Sequence, residues 1–393
     1  MSYPKTARQA AFMATADRLA EIISTRAATH DRENTFPFED FKDLHREGYL
    51  ALTVPARYGG AEADPLEVVL AQERLARGSG ATALMVTMHL ALIGRLRDNH
   101  AWPEPLYAEI CRRVVSEGAL INTIHSEPDM GSPSRGALPS TTLTRTPEGW
   151  VLNGRKSWAS LIPGLTYLGV LVTVIDGDQP PRRGNILLTS DHPGIKVIET
   201  WDNLGMRATS SHDVVFENVL LPADTQFLGE SGVNPELIGG WSLIGPAVFL
   251  GIAGAARDET ILWARERIPN GMDKPIAELP TIQHKVADME LLYWQAAAAL
   301  RNTADKWVNE PDERRWMDWE LAAAKYTVSH NAMNITDRAL KIVGAAGLSR
   351  TLPLERYFRD VRASLNQPPM DDVTLTLVGK TALGLVGKGS QTT

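Results

Sequence analysis

Apolar and polar positions recur with a helical period over both ends of the chain, and with a strand-like pattern only in the middle. Residues 7–25 carry apolar side chains at helical spacing with no breaker. Residues 40–49 read as a short amphipathic helix with Gly48 as its stop. A turn follows over 51–60, where Pro55 and Gly59-Gly60 break regular structure. Residues 65–76 predict a helix opened by Pro65, and 81–95 a strongly apolar core helix. The middle, from Ile121 to Phe216, reads as β: 170–174 and 185–188 are short apolar runs bounded by Gly, Pro and Asp. Helical patterns return over 246–266, 282–307 and 319–343, the last ending near Gly344. Pro368-Pro369 then breaks the chain before a short closing helix over 373–385.

This order predicts a mainly α protein with a central β domain, in separate packed layers rather than alternating βαβ units. The expected domains are an N-terminal α-helical one over 1–119, a central β domain over 120–229 and a C-terminal helical bundle over 230–393. Residues 237–256 carry no charge. Six glycines and prolines interrupt that run, so it reads as a buried core helix and no membrane span is expected.

Composition narrows the function classes. The chain has 393 residues, 44% hydrophobic and 22% charged, as ordinary globular proteins do. Its net charge is -7 and no basic block stands out, so nucleic acid is not an expected partner. One cysteine, Cys111, excludes an internal disulfide and any Cys-rich metal site. It reads as a buried thiol of an intracellular protein, and the N-terminus lacks a signal pattern; a cytoplasmic location is the expectation. The phosphate loop, G-x-G-x-x-G after a strand and G-x-S-x-G are all absent. His89, His100 and His125 lack partners at metal-ligand spacing, so no metal is expected.

Four blocks carry more. They are Ser126-Glu127-Pro128-Asp129-Met130-Gly131-Ser132, Leu152-Asn153-Gly154-Arg155-Lys156-Ser157-Trp158, Leu204-Gly205-Met206-Arg207 and Arg356-Tyr357-Phe358-Arg359-Asp360. In that order and spacing the whole chain resembles the acyl-CoA dehydrogenase superfamily of flavoproteins. The resemblance implies an N-terminal helical domain, a central β-barrel domain and a C-terminal four-helix bundle, assembled as a homodimer or homotetramer. It implies FAD. Ser126 and the backbone N–H groups around it would donate to the flavin, stabilising charge on the reduced ring. Gly131 and Ser132 would shape the close approach, Trp158 would lie against the ring and Ser160 would add a hydrogen bond. Arg267 falls where a partner subunit's arginine meets the FAD diphosphate, and Gly344 in a turn that receives the neighbour's FAD. The plainer reading makes Gly131 and Ser132 turn residues, Trp158 core and Arg267 a solvated helix-end cation.

The chain also departs from the family. A dehydrogenase needs a carboxylate to remove the α-proton of its thioester. Counting on from Asp360, Pro368 stands where the family's Glu is expected, and residues 239–249 hold neither a carboxylate nor an arginine. Asp371 and Asp372 are the nearby substitutes, with a helix N-cap and first-turn role as their plainer reading. The C-terminal pattern is similar to flavin-dependent monooxygenases of the same fold, which use supplied reduced flavin and O₂. In that reading His89 and Ser160 would flank the flavin C4a region, and FMN becomes possible. The expected function is oxidation of an acyl-CoA or related thioester at Cα–Cβ, with an electron-transfer flavoprotein as partner; the alternatives are a monooxygenase served by a flavin reductase and a flavin-binding scaffold without turnover. The expected substrate is a small molecule.

Overall fold

The computed structural model describes residues 3–128, 138–228 and 239–385. Five helices come first: α1 (Ala7–Glu33), α2 (Phe38–Arg46), α3 (Pro65–Leu75), α4 (Gly80–Asn99) and α5 (Glu104–Glu117). Local chemistry sets their ends. The Thr6 side chain accepts from the Gln9 N–H to open α1, and Asn34, in the left-handed region, closes it. α1 thus runs past the expected end at residue 25. Asp64 and Glu67 cap α3 reciprocally behind Pro65. Ser79 caps α4 through the Thr82 N–H, and His100 ends it.

Seven strands form one sheet: β1 (Ile121–Ile124), β2 (Thr142–Thr146), β3 (Gly149–Lys156), β4 (Tyr167–Ile175), β5 (Arg182–Thr189), β6 (Ile195–Ile198) and β7 (Asp213–Leu221). β4 is the spine. One of its edges takes β1 and then β2, both parallel, with Ile121 opposite Tyr167 and Thr142 opposite Thr173. The other edge takes β5, antiparallel. β3, β7 and β6 continue outward from β2 in antiparallel pairs. Every β4 residue but Ile175 is buried, which explains its unbroken apolar run.

Among the described residues five more α-helices follow: α6 (Ile244–Glu266), α7 (Pro280–Asn309), α8 (Asp318–Val343), α9 (Leu354–Asp360) and α10 (Asp371–Ala382). Among the described residues, Gly239–Glu266 is the one helix long and apolar enough to cross a membrane, and 83% of its most apolar window is buried inside the protein. It is the core helix expected of the uncharged run. The buried Glu73 carboxylate ties α3 to α7, accepting from Arg301 at 2.6 and 3.0 Å and from the Tyr293 hydroxyl at 2.7 Å.

The three domains meet at one knot. Arg359 of α9 reaches Asp31 of α1 at 2.6 Å and donates to the Leu204 carbonyl at 3.0 Å. The Asp360 carboxylate accepts from the Met206 N–H at 2.6 Å. A Cβ on Gly205 would stand 2.4 Å from the Arg359 carbonyl oxygen, so only glycine lets α9 come this close. Two of the four sequence blocks are therefore the two sides of one junction. The architecture is an N-terminal helical domain, a central sheet domain and a C-terminal helical domain.

Candidate functional site

The other two blocks also meet. The Ser157 N–H donates to the Ser126 carbonyl at 2.9 Å, joining the end of β3 to the segment after β1. Beneath this junction the Lys156 ammonium and the Glu127 carboxylate pair at 2.7 Å, with side chains 0% and 2% exposed. Glu127 also accepts from the Ser140 and Thr141 N–H groups at 2.6 and 2.9 Å. Burial alone would raise its pKa, but the hydrogen bonds from Lys156 and Thr141 outweigh that and hold it below the usual carboxylate range.

Trp158 follows directly. Its indole is 62% exposed, so it is not the core residue of the plainer reading. It stands edge-on to Trp201, ring centroids 5.1 Å apart at 81°. Its φ is +59°, and Leu161, Met206 and Ser210 around it also adopt positive φ. These four are half of the eight such non-glycine residues described. Strain of this kind persists only where the surroundings impose it. Here the surroundings are a lattice of hydrogen bonds. Ala159 N–H donates to the His212 carbonyl and Leu161 N–H to the Thr209 carbonyl, both at 3.1 Å. The Ser160 and Ser211 hydroxyls lie 2.7 Å apart, and those of Ser211 and Thr209 2.8 Å. Asn122 donates to the Ser160 carbonyl at 3.1 Å. The Met206 carbonyl accepts from both the Trp201 indole N–H and the Thr209 hydroxyl.

The residues present fit a flavin. An indole left bare beside a ladder of hydroxyls offers a flat apolar face with polar groups along its edge, which is what an isoalloxazine ring presents in return. Ser126, Trp158 and Ser160, expected together from the sequence, are together in the structure. Gly131 and Ser132 lie outside the described residues. Gly344 adopts φ +72° and lines a separate surface cavity of about 440 Å³ with Lys341, Leu348, Phe358 and Arg359. Arg267 is exposed at the end of α6, its guanidinium 6.0 Å above its own Trp263 ring, and has no place in that cavity.

The proton-transfer candidates fare differently. His89 is fully buried on α4. Its Nδ1 accepts from the Ile121 N–H at 3.2 Å, so its Nε2–H donates to the Leu50 carbonyl at 3.0 Å. Both ring nitrogens are used, and burial pushes its pKa down to about 4. His89 is a neutral strut between α4 and β1 with no nitrogen left for a reactant, which corrects the catalytic reading. Asp371, at the start of α10, accepts from His330 Nε2 at 2.8 Å and faces the buried Lys325 ammonium at 3.7 Å. Its carboxylate is held against α8. Asp372 is exposed in the first turn of α10, where a negative charge suits the helix dipole. Neither carboxylate is positioned as a free base.

Two groups near the site were not singled out for a role by the sequence. His125 follows β1, next to Ser126; its Nε2 is buried with no hydrogen-bond partner. Burial, then the charges of Lys156, Arg95 and Arg183, push its pKa down to about 4. Arg95, on α4, also has a buried Nε without a partner. No local signal in the sequence marks either, because a missing partner is a property of the fold. Among the described residues no cluster of metal-ligating side chains occurs.

Known proteins agree with this architecture. Profiles of the acyl-CoA dehydrogenase N-terminal, middle and C-terminal domains match residues 6–100, 122–219 and 246–365. "Putative acyl-CoA dehydrogenase YdbM" of Bacillus subtilis (strain 168) is 38% identical over 94% of this chain and 95% of its own. The amino sugar nitrososynthase DnmZ of Streptomyces peucetius is 29% identical over 92% of this chain and 89% of its own. Among solved structures, KijD3 in complex with FMN and dTDP-3-amino-2,3,6-trideoxy-4-keto-3-methyl-D-glucose superposes with a TM-score of 0.81 at 28% identity, covering 98% of this chain and 96% of KijD3. The chain belongs to the acyl-CoA dehydrogenase family and is a flavin-dependent oxidoreductase.

Proposed function

We propose that the protein is a flavin-dependent monooxygenase that takes reduced flavin from a separate reductase, rather than an acyl-CoA dehydrogenase. The observation that carries this is the fate of the two candidate carboxylates. Asp371 accepts from His330 through one oxygen and faces the Lys325 ammonium at 3.7 Å with the other, Asp372 is exposed, and Pro368 stands where the base is expected. Removal of an α-proton needs a base within hydrogen-bond reach. Oxygen transfer does not.

Reduced flavin bound at this site would supply two electrons to O₂, one oxygen atom passing to the substrate and the other leaving as water. The chain's own part is positional. Trp158 carries the ring face, and the Ser160–Ser211–Thr209 hydroxyls line its edge. The Glu127–Lys156 pair fixes the Ser126 segment against Ser157. FMN satisfies this platform. The Gly344 cavity, in the turn where the resemblance places a neighbour's FAD, would take the far half of an FAD held by a partner subunit, so both flavins are expected to bind. A homodimer or homotetramer fits the apolar side chains exposed on the C-terminal domain, among them Leu291, Trp294, Val373 and Leu375.

The test is spectroscopic. Flavin-loaded protein is mixed anaerobically with short, medium and branched acyl-CoAs, and the oxidised-flavin absorbance is followed. No bleaching is expected. With reduced flavin and air, the protein is expected to change the rate of flavin reoxidation. Bleaching by any thioester, or reoxidation at the rate of free flavin, overturns the proposal.

A further inference from the structure

Among the described residues, Arg95 is a largely covered cation whose Nε finds no partner. Its neighbours on α4 show the contrast. Arg97 donates to Asp98 at 2.9 Å and to the Ala63 carbonyl at 3.1 Å, and lies over the Trp241 ring at 5.3 Å. Asp98 in turn accepts from the Trp241 indole N–H at 2.7 Å. Trp241 packs directly on Gly94, where a Cβ would come within 2.5 Å of its ring. α4 therefore carries Trp241 over Gly94 and Arg97, with Arg97 and Asp98 both answered there. Arg95 itself makes no hydrogen bond or ion pair among the described residues, and its Nε is shut off from water. The side chain is neither exposed nor fully covered, as expected of a residue lining an internal space.

His125 repeats the pattern from the sheet side. Its Nε2 is buried and unpaired, and the side chain is likewise only partly covered. α4 packs on β1, with His89 bound to the Ile121 N–H at the head of that strand; Arg95 lies farther along α4 and His125 just past β1, and the Arg95 charge helps lower the His125 pKa. His125 adjoins the flavin platform, because it is bonded to Ser126 and Ser126 is hydrogen-bonded to Ser157, next to Trp158. A guanidinium N–H and an imidazole nitrogen, both desolvated without partners, are costly by themselves. A guanidinium and an imidazole together are groups that recognise a carboxylate or a phosphate on an organic body.

We propose that Arg95, assisted by His125, forms an oxyanion-binding subsite beside the flavin platform, so that the substrate carries a carboxylate or phosphate group. The proposal rests on the placement of the flavin at Trp158, and it names the substrate class of that same site. The guanidinium holds the anion, and the reacting part is left towards Trp158.

The test uses flavin-free protein, so it fails or succeeds independently of the oxygen chemistry. Inorganic phosphate and benzoate are titrated calorimetrically into the wild type, Arg95→Met and Arg95→Lys. At least one probe is expected to bind the wild type; benzoate alone points to carboxylate substrates and phosphate alone to phosphate esters. Arg95→Met is expected to weaken that binding roughly tenfold or more, with partial recovery in Arg95→Lys. Arg95→Met is also expected to melt no lower than the wild type, since it removes a desolvated, unpaired charge. Binding of neither probe, equal binding by Arg95→Met, or a marked fall in its melting temperature overturns the proposal; the last would make Arg95 a structural residue.

Discussion

The Lys156 ammonium and the Glu127 carboxylate lie 2.7 Å apart with almost no solvent contact, and the pair locks together two stretches 29 residues apart in sequence. Removing one partner of a buried pair leaves the other charged and desolvated, which costs about 3–5 kcal/mol. Lys156→Met is therefore expected to lower the urea unfolding free energy by about that much. Glu127→Gln combined with Lys156→Met should recover part of the loss. A single-variant loss under about 1 kcal/mol would show the pair to be dispensable.

Trp158 separates stability from binding. It is exposed and sits at φ +59°, so Trp158→Gly removes no core contact and relieves backbone strain. Stability is expected to hold within about 1 kcal/mol while flavin affinity falls roughly tenfold or more. Fluorescence titration with FMN and FAD measures the second quantity. Unchanged affinity would remove Trp158 from the flavin site.

Asp371 and Asp372 are expected to part company. Asp371→Asn disturbs the Lys325 and His330 contacts and should cost about 1–3 kcal/mol of stability. Asp372→Asn, at an exposed position, should stay within about 0.5 kcal/mol. Turnover is expected to survive both. Abolition of turnover by either, with the fold intact, would restore the base and with it the dehydrogenase reading.

Asp360 gives a pH signature. Burial raises its pKa to about 6, against the pull of the Met206 N–H and nearby arginines. Between about pH 4 and 6 the folded chain holds a proton that the unfolded chain has released. The stability this group contributes is thus full at low pH and lost as pH rises through 6. Asp360→Asn keeps an oxygen acceptor for Met206 and removes the titration. From pH 4 to 7 the stability of Asp360→Asn relative to wild type is expected to rise by about 3 kcal/mol. Parallel stability curves for the two proteins would contradict this.

Much of the fold was legible because glycines, prolines and small polar caps mark the ends of its elements. Pro65 opens α3 as expected, and Gly48, at φ +71°, makes the turn after α2. The uncharged run became α6, buried as its glycines suggested. α5 was missed, although Pro103 and Gly118 bound it, and α9 was seen only as a motif block. That the Ser126 block meets the block ending at Trp158 was legible because the blocks follow one another in order; Ser160 lies just past the second. His89 was misjudged because only the fold shows both its nitrogens taken by Leu50 and Ile121. Arg95 was invisible for the opposite reason: nothing in its neighbourhood along the chain says that no acceptor will come to meet it.

The junction between Asp360 and Met206 has a bearing on how the protein is made. Asp360 steadies Met206, whose carbonyl holds the Trp201 indole, which in turn stands against Trp158. A ribosome releases Trp158 long before Asp360, so the nascent chain carries a bare indole whose support has not yet been synthesised. The platform proposed for the flavin is thus completed only after Asp360 has emerged, and flavin binding during synthesis is expected to wait until then.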